Sequence, residues 1–168
     1  MSIIGNGDIA KVLPGRKDLL FFASGVSDSK TTDESEFARE RDLLLRQDKV
    51  KHLVYFSSLA VFEKDTSYFK HKRMMESLVK VHFDTWTIVR LGNIAWGSNP
   101  NTIINFLRNR IKAGLQVEIR DEYKYIVDKD EFLYWIGLIP TKWSCEMSVV
   151  GRRMKVSDII QEIKLGEL

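Results

Sequence analysis

Short, nearly all-apolar runs alternate along this chain with longer segments of helical period, and that alternation is the strongest constraint on its fold. Leu19-Leu20-Phe21-Phe22 and Leu53-Val54-Tyr55-Phe56 have the length and continuity of strands buried on both faces. Between and after them, apolar residues recur three and four apart. Such a pattern implies a parallel sheet with helices packed against it. The spacing predicts strands at 2–4, 18–23, 52–57, 86–90, 117–119 and 125–127. It predicts helices at 8–13, from Asp33 onward, at 68–80, at 102–113 with Gly114 as a left-handed cap, and at 130–138. A last helix is capped by Ser157. With 168 residues the chain is the size of a single domain, read as a core over 1–115 and a small substrate-side region over 116–168.

Composition narrows the function classes. Cys145 stands alone, so neither an internal disulfide nor a cysteine-rich zinc site is available. His52, His71 and His82 fall on different elements and suggest no metal site. The net charge of +3 is too small for a nucleic-acid footprint, and the basic runs at 108–112 and 152–155 read as solvated surfaces. No apolar run reaches the roughly 18 residues of a membrane span, and the first residues lack a signal-peptide pattern. The expected location is cytoplasmic.

Three motifs carry chemistry. Gly5-Asn6-Gly7-Asp8-Ile9-Ala10 is a G-x-G-x-x-A between a strand and a helix. Glycines there let a pyrophosphate approach backbone N–H groups, and the same pattern also serves a plain turn. Tyr68 and Lys72 form a Y-x-x-x-K that puts a phenol and an ammonium on one helix face. To act near pH 7 the phenol must fall from about 10, which requires roughly 4 kcal/mol in favour of phenolate, and an adjacent cation pushes that way. A second copy, Tyr125 to Lys129, runs from strand into turn and does not share a helix face. Ser57-Ser58 ends a strand, where ligands of doubly wound sheets bind and where a hydroxyl can hold a reacting oxygen or simply satisfy backbone groups.

Taken in order, these motifs with FFASG, YFSSLAVF, SYFKHKRMMESLV and VRLGNIAWG resemble the extended short-chain dehydrogenase/reductases, the branch of sugar-nucleotide epimerases, dehydratases and reductases. The resemblance covers about residues 2–115 and includes Val61 and Phe62 after Ser58, Glu76 after Lys72, and Arg90, Asn93 and Gly97. It implies a Rossmann-like doubly wound parallel sheet and a bound NAD or NADP. In that frame Ser58, Tyr68 and Lys72 are catalytic. Gly5, Gly7, Asp8, Ile9, Ala23, Ser24 and Gly25 lie along the cofactor with Tyr68 and Lys72, and Ser58 and Asn93 face a sugar or nucleotide-sugar substrate. Trp96 stands next to that substrate loop.

The chain departs from this family between Leu13 and Asp18. The second and third strands of the sheet are missing there, and with them the acidic residue that holds the adenosine ribose. A charged hydrogen bond of that kind is worth roughly 1.5–3 kcal/mol. Arg16 and Lys17 are the cations in that segment available to a ribose 2′-phosphate. The first strand becomes a sheet edge, which predicts a homodimer that covers it. Two functions stay open: an NAD(P)-dependent enzyme acting on a sugar or nucleotide-sugar, and a non-catalytic relative serving as a ligand sensor or scaffold.

Overall fold

The computed structural model describes residues 2–119 and 121–168. In chain order the elements are β1 (Ile3–Ile4), α1 (Asp8–Val12), β2 (Leu19–Phe22), α2 (Glu34–Leu45), β3 (His52–Ser58), α3 (Ser67–His82), β4 (Trp86–Leu91), β5 (Asn93–Ile94), α4 (Ile103–Lys112), β6 (Tyr123–Val127), α5 (Lys129–Gly137), β7 (Cys145–Val149), β8 (Arg152–Lys155) and α6 (Val156–Leu165). Five strands form a sheet in the order β1-β2-β3-β4-β7, with every neighbouring pair parallel. Ile3 pairs with Phe21, so β1 sits directly against β2 and no strand flanks its outer side among the described residues. This is a Rossmann-like α/β sheet with a shortened edge.

The alternation of side chains along the strands builds a core on each face. Leu19, Phe21, Val54, Phe56, Val89 and Leu91 meet Leu13, Phe132 and Ile136, beneath α1 and α5. Leu20, Phe22, Leu53, Tyr55 and Ile88 meet Leu44, Met75 and Val79, from α2 and α3. A third cluster joins α4 and α6 to the small sheet β5-β6-β8 through Ile104, Leu107, Ile126, Ile159 and Ile163.

Helix α3 buries Lys72, Met75, Glu76 and Val79, the spacing of one helical face. Two of those four are charged, and each has a partner on another element, as a buried charge requires. Glu76 receives a paired contact from Arg90 of β4 (3.1 and 2.7 Å), which ties the helix to the sheet. Lys72 belongs to the site described below.

The structure departs from the sequence expectations mostly after Gly114. No strand forms over 117–119. Strands β7 and β8 were not expected, because Cys145–Val149 alternates half-exposed and exposed residues before Val149 and Arg152–Lys155 buries only Met154. Neither contains the apolar run that marks an interior strand. Helix α6 begins at Val156 with Lys155 at its cap, so Ser157 lies inside the helix, where its hydroxyl donates to Asp158. Gly114 does adopt the left-handed conformation, at φ +65°.

Candidate functional site

The carboxyl ends of β1 to β4 open onto a cavity of about 660 Å³. Its wall includes Gly7, Asp8 and Ile9 after β1, Ala23 and Gly25 after β2, Ser57 and Ser58 at the end of β3, Tyr68 and Lys72 of α3, and Asn93 of β5. The loop residues Asn99 and Asn101 and the strand residues Tyr123 and Tyr125 close the far side. Residues more than 80 positions apart thus meet at the strand ends, where doubly wound sheets bind ligands.

The Lys72 ammonium lies 3.0 Å from Glu40 Oε1 and 3.0 Å from the Tyr55 hydroxyl. Tyr55 itself donates to Glu40 Oε1 at 2.8 Å. The other carboxylate oxygen accepts from the backbone N–H of Val26 at 2.8 Å and lies 3.0 Å from His71 Nε2. Lys72, Glu40, Tyr55 and His71 are all buried. Burial alone would raise the Glu40 carboxyl. The Lys72 cation and the hydrogen bonds from His71 and Val26 outweigh it and hold the group well below the ordinary carboxylate range. Burial likewise works against the Lys72 ammonium, and Glu40 overcomes it, so Lys72 stays protonated well above its ordinary value.

Tyr68 begins the exposed-to-buried turn of α3 and stands edge-on to Phe69, with ring centroids 5.0 Å apart. Lys72 Nζ is 5.7 Å from its ring centroid. Burial raises the phenol, Lys72 offsets part of that, and Glu40 adds to it, so the net shift is upward. The neighbouring lysine does lower this phenol, as the sequence implies, but burial outweighs it and Glu40 adds to the rise, so the phenol ends above its ordinary value. Among the described residues nothing hydrogen-bonds the Tyr68 hydroxyl, which leaves it free for a ligand.

Ser58 Oγ accepts from the Ala60 backbone N–H at 3.3 Å, a turn that fixes its rotamer. The neighbouring Ser57 Oγ is buried without a partner among the described residues. Asn93 Nδ2 donates to the Tyr125 carbonyl at 3.1 Å, which joins β5 to β6 at the cavity wall. The Asp8 carboxylate accepts from the Ser98 and Asn99 N–H groups (3.0 and 2.8 Å). Trp96 Nε1 donates to the Asp8 carbonyl at 3.2 Å and its ring packs 5.1 Å from Phe132. Trp96 thus braces the glycine turn and is not part of the wall.

Two expected cofactor residues stand outside the cavity. Gly5, at φ +124°, is pressed against the Ala23 carbonyl. Ser24 is held by Arg39 at 3.3 Å through both its hydroxyl and its carbonyl. Arg16 and Lys17 precede β2 and line a separate hollow with Ser2 and Lys51 at the amino ends of the strands, so they cannot reach a ribose at the carboxyl ends. Sequence reasoning missed Glu40 and Tyr55. The signal was present in part: Glu40 falls three residues from Phe37 and four from Leu44 on the inner face of α2, where a carboxylate must have a partner.

No family model matches the sequence, and no curated protein matches it. Solved structures do match its fold. The Bordetella bronchiseptica enzyme WbmG, in complex with NAD and UDP, superposes with a TM-score of 0.69 at 15% identity, over 88% of this chain and 55% of that one. The Thermus thermophilus UDP-glucose 4-epimerase in complex with NAD gives 0.61 at 15% identity, over 88% and 61%. The Bacillus anthracis dTDP-4-dehydrorhamnose reductase in complex with NADP gives 0.59 at 16%, over 83% and 59%. The chain spans a little over half the length of these structures. It shares with them the Rossmann-like α/β fold.

Proposed function

We propose that this chain is an NAD(P)-dependent epimerase, dehydratase or reductase for a sugar or nucleotide-sugar, with Ser58, Tyr68 and Lys72 as its reacting set. The observation that carries the reading is the meeting of these three side chains with Gly7, Ile9, Gly25 and Asn93 on one cavity at the strand ends. The structural neighbours, solved with NAD, NADP or UDP, support it.

The lining suits the nicotinamide–ribose end of the cofactor. Lys72 has three N–H groups, of which Glu40 and Tyr55 occupy two, and the third is available to a ribose hydroxyl. Gly7 offers a surface without a side chain, and a Cβ there would meet nothing within 4 Å. The adenosine end has no such support, because no strand stands beyond β1 among the described residues. The cofactor supplies hydride transfer. Ser58 orients the reacting oxygen, and Tyr68 exchanges a proton with it, giving one when hydride is added and taking one when hydride is removed. Asn93 and the Tyr123–Tyr125 wall hold the sugar side. A second copy of the chain covers the β1 edge in this reading.

A second reading, ligand binding without turnover, has one observation in its favour: the Lys72 charge is already compensated by Glu40. Turnover separates the two. In a screen of nucleotide-sugars with each nicotinamide cofactor, the enzyme reading expects activity that Tyr68→Phe abolishes while the circular dichroism stays unchanged. Activity that survives Tyr68→Phe contradicts the assigned role.

A further inference from the structure

Glu40 is the residue on which the site's ionic structure converges. Its two oxygens collect Lys72, Tyr55, His71 and the Val26 N–H, which come from α3, β3, α3 again and the loop after β2. That loop lines the cavity on one side and α3 lines it on another. Gly25 completes the arrangement: a Cβ there would stand 2.7 Å from Lys72 Nζ and 3.3 Å from Glu40 Oε1, so the loop passes directly over the ion pair.

We propose that Glu40 is a positioning residue that pins the Lys72 ammonium beneath Gly25 and compensates its charge, so that Lys72 serves the cavity as a hydrogen-bond donor and Tyr68 works as a neutral phenol. The proposal rests on the reading of Tyr68 and Lys72 as reacting residues. It divides the two roles a lysine can play beside a tyrosine. Holding a ligand hydroxyl needs only a well-aimed N–H. Acidifying a phenol needs an uncompensated positive charge, and here a carboxylate 3.0 Å away offsets it. Lys72 Nζ of α3 stands 5.7 Å from the centroid of this ring and pairs with Glu40 of α2, and the cavity that Tyr68 lines also carries the charged residues Glu63, Lys64, Glu122 and Lys124. The resting phenol holds the proton that a reductive step places on a ligand oxygen.

The test is the ionisation of Tyr68, read as the ultraviolet phenolate difference between each protein and its Tyr68→Phe counterpart. It needs no cofactor. In the unsubstituted protein Tyr68 should titrate above free tyrosine. In folded Glu40→Gln the lysine charge is released, and Tyr68 should become about tenfold more acidic or more. A purely structural role for Glu40 would leave the phenol where it was, so an unchanged titration in folded Glu40→Gln overturns the proposal. If that variant fails to fold, the double variant Glu40→Gln/Lys72→Met removes both charges. A phenol within about twofold of the unsubstituted protein's acidity supports compensation, and one about tenfold less acidic shows that Lys72 had been acting uncompensated and overturns it. Titration that follows Glu40 in a protein that binds no cofactor would overturn the enzyme reading and leave only the compensation of Lys72 by Glu40, whereas cofactor binding with an unchanged titration would overturn the compensation and leave the enzyme reading.

Discussion

A methyl group added at Gly25 would lie 2.7 Å from the Lys72 ammonium nitrogen. Lysine side chains usually swing aside from such a contact, but this one is buried between Glu40 and Tyr55. Gly25→Ala must therefore displace either the ion pair or the loop that carries Val26. The expected loss is about 1–3 kcal/mol of stability, typical of overpacking, with weaker ligand binding. Thermal unfolding and calorimetry measure the two effects.

The two glycines of the turn between β1 and α1 divide cleanly. Gly5 has a positive φ and no room for a Cβ against the Ala23 carbonyl, so Gly5→Ala should destabilise the fold. Gly7 has φ −73° and open space around it, so Gly7→Ala should fold with nearly unchanged stability. Because Gly7 lines the cavity, the same substitution should weaken ligand binding about tenfold or more. Comparing melting temperature with affinity in the two variants checks this: equal melting losses would contradict it.

The buried pair also sets the response to pH. The folded Glu40 carboxyl lies below its unfolded value, so its contribution is complete above about pH 4.3 and is lost as pH falls through the folded value. Lys72 lies above its unfolded value, so its contribution is complete below about pH 10.4 and is lost as pH rises through the folded value. This pair's part of the denaturant stability should be flat between those limits. Glu40→Gln should cost about 3–5 kcal/mol at neutral pH, as expected when one partner of a buried pair is removed, and should show a shallower decline in acid. An acid decline as steep as in the unsubstituted protein would assign the effect to other carboxylates.

The edge of β1, unflanked among the described residues, offers backbone groups to a partner strand. A dimer is expected in sedimentation at high concentration, and Ile3→Pro, which removes a backbone donor from that strand, should weaken it. A monomer at all concentrations would contradict this assignment of the edge.

Most of the fold was legible in the sequence because its interior strands are apolar on both faces, as at Leu19–Phe22. The positions of Ser58, Tyr68 and Lys72 followed from motif order. Strands β7 and β8 were hidden because their residues are largely polar and their pairing is decided by distant partners, Thr87–Leu91 for one and Tyr123–Ile126 for the other. The ionic state of the site was hidden for the same reason. Glu40 lies 32 residues before Lys72, and no local pattern reveals that the two side chains touch. The motifs of Gly5 and Ser24 likewise gave no sign of their packing against Ala23 and Arg39, which lie 18 and 15 residues away in sequence.

The most direct measurement is calorimetric titration of the purified protein with NAD⁺, NADH, NADP⁺ and NADPH, after a check for copurified cofactor. Binding of at least one of them at micromolar strength is expected, lost or strongly weakened in Gly7→Ala, whose fold is otherwise intact. No binding by any of the four at millimolar concentration would contradict the cofactor assignment and leave Tyr68 and Lys72 as parts of a cavity for a different ligand.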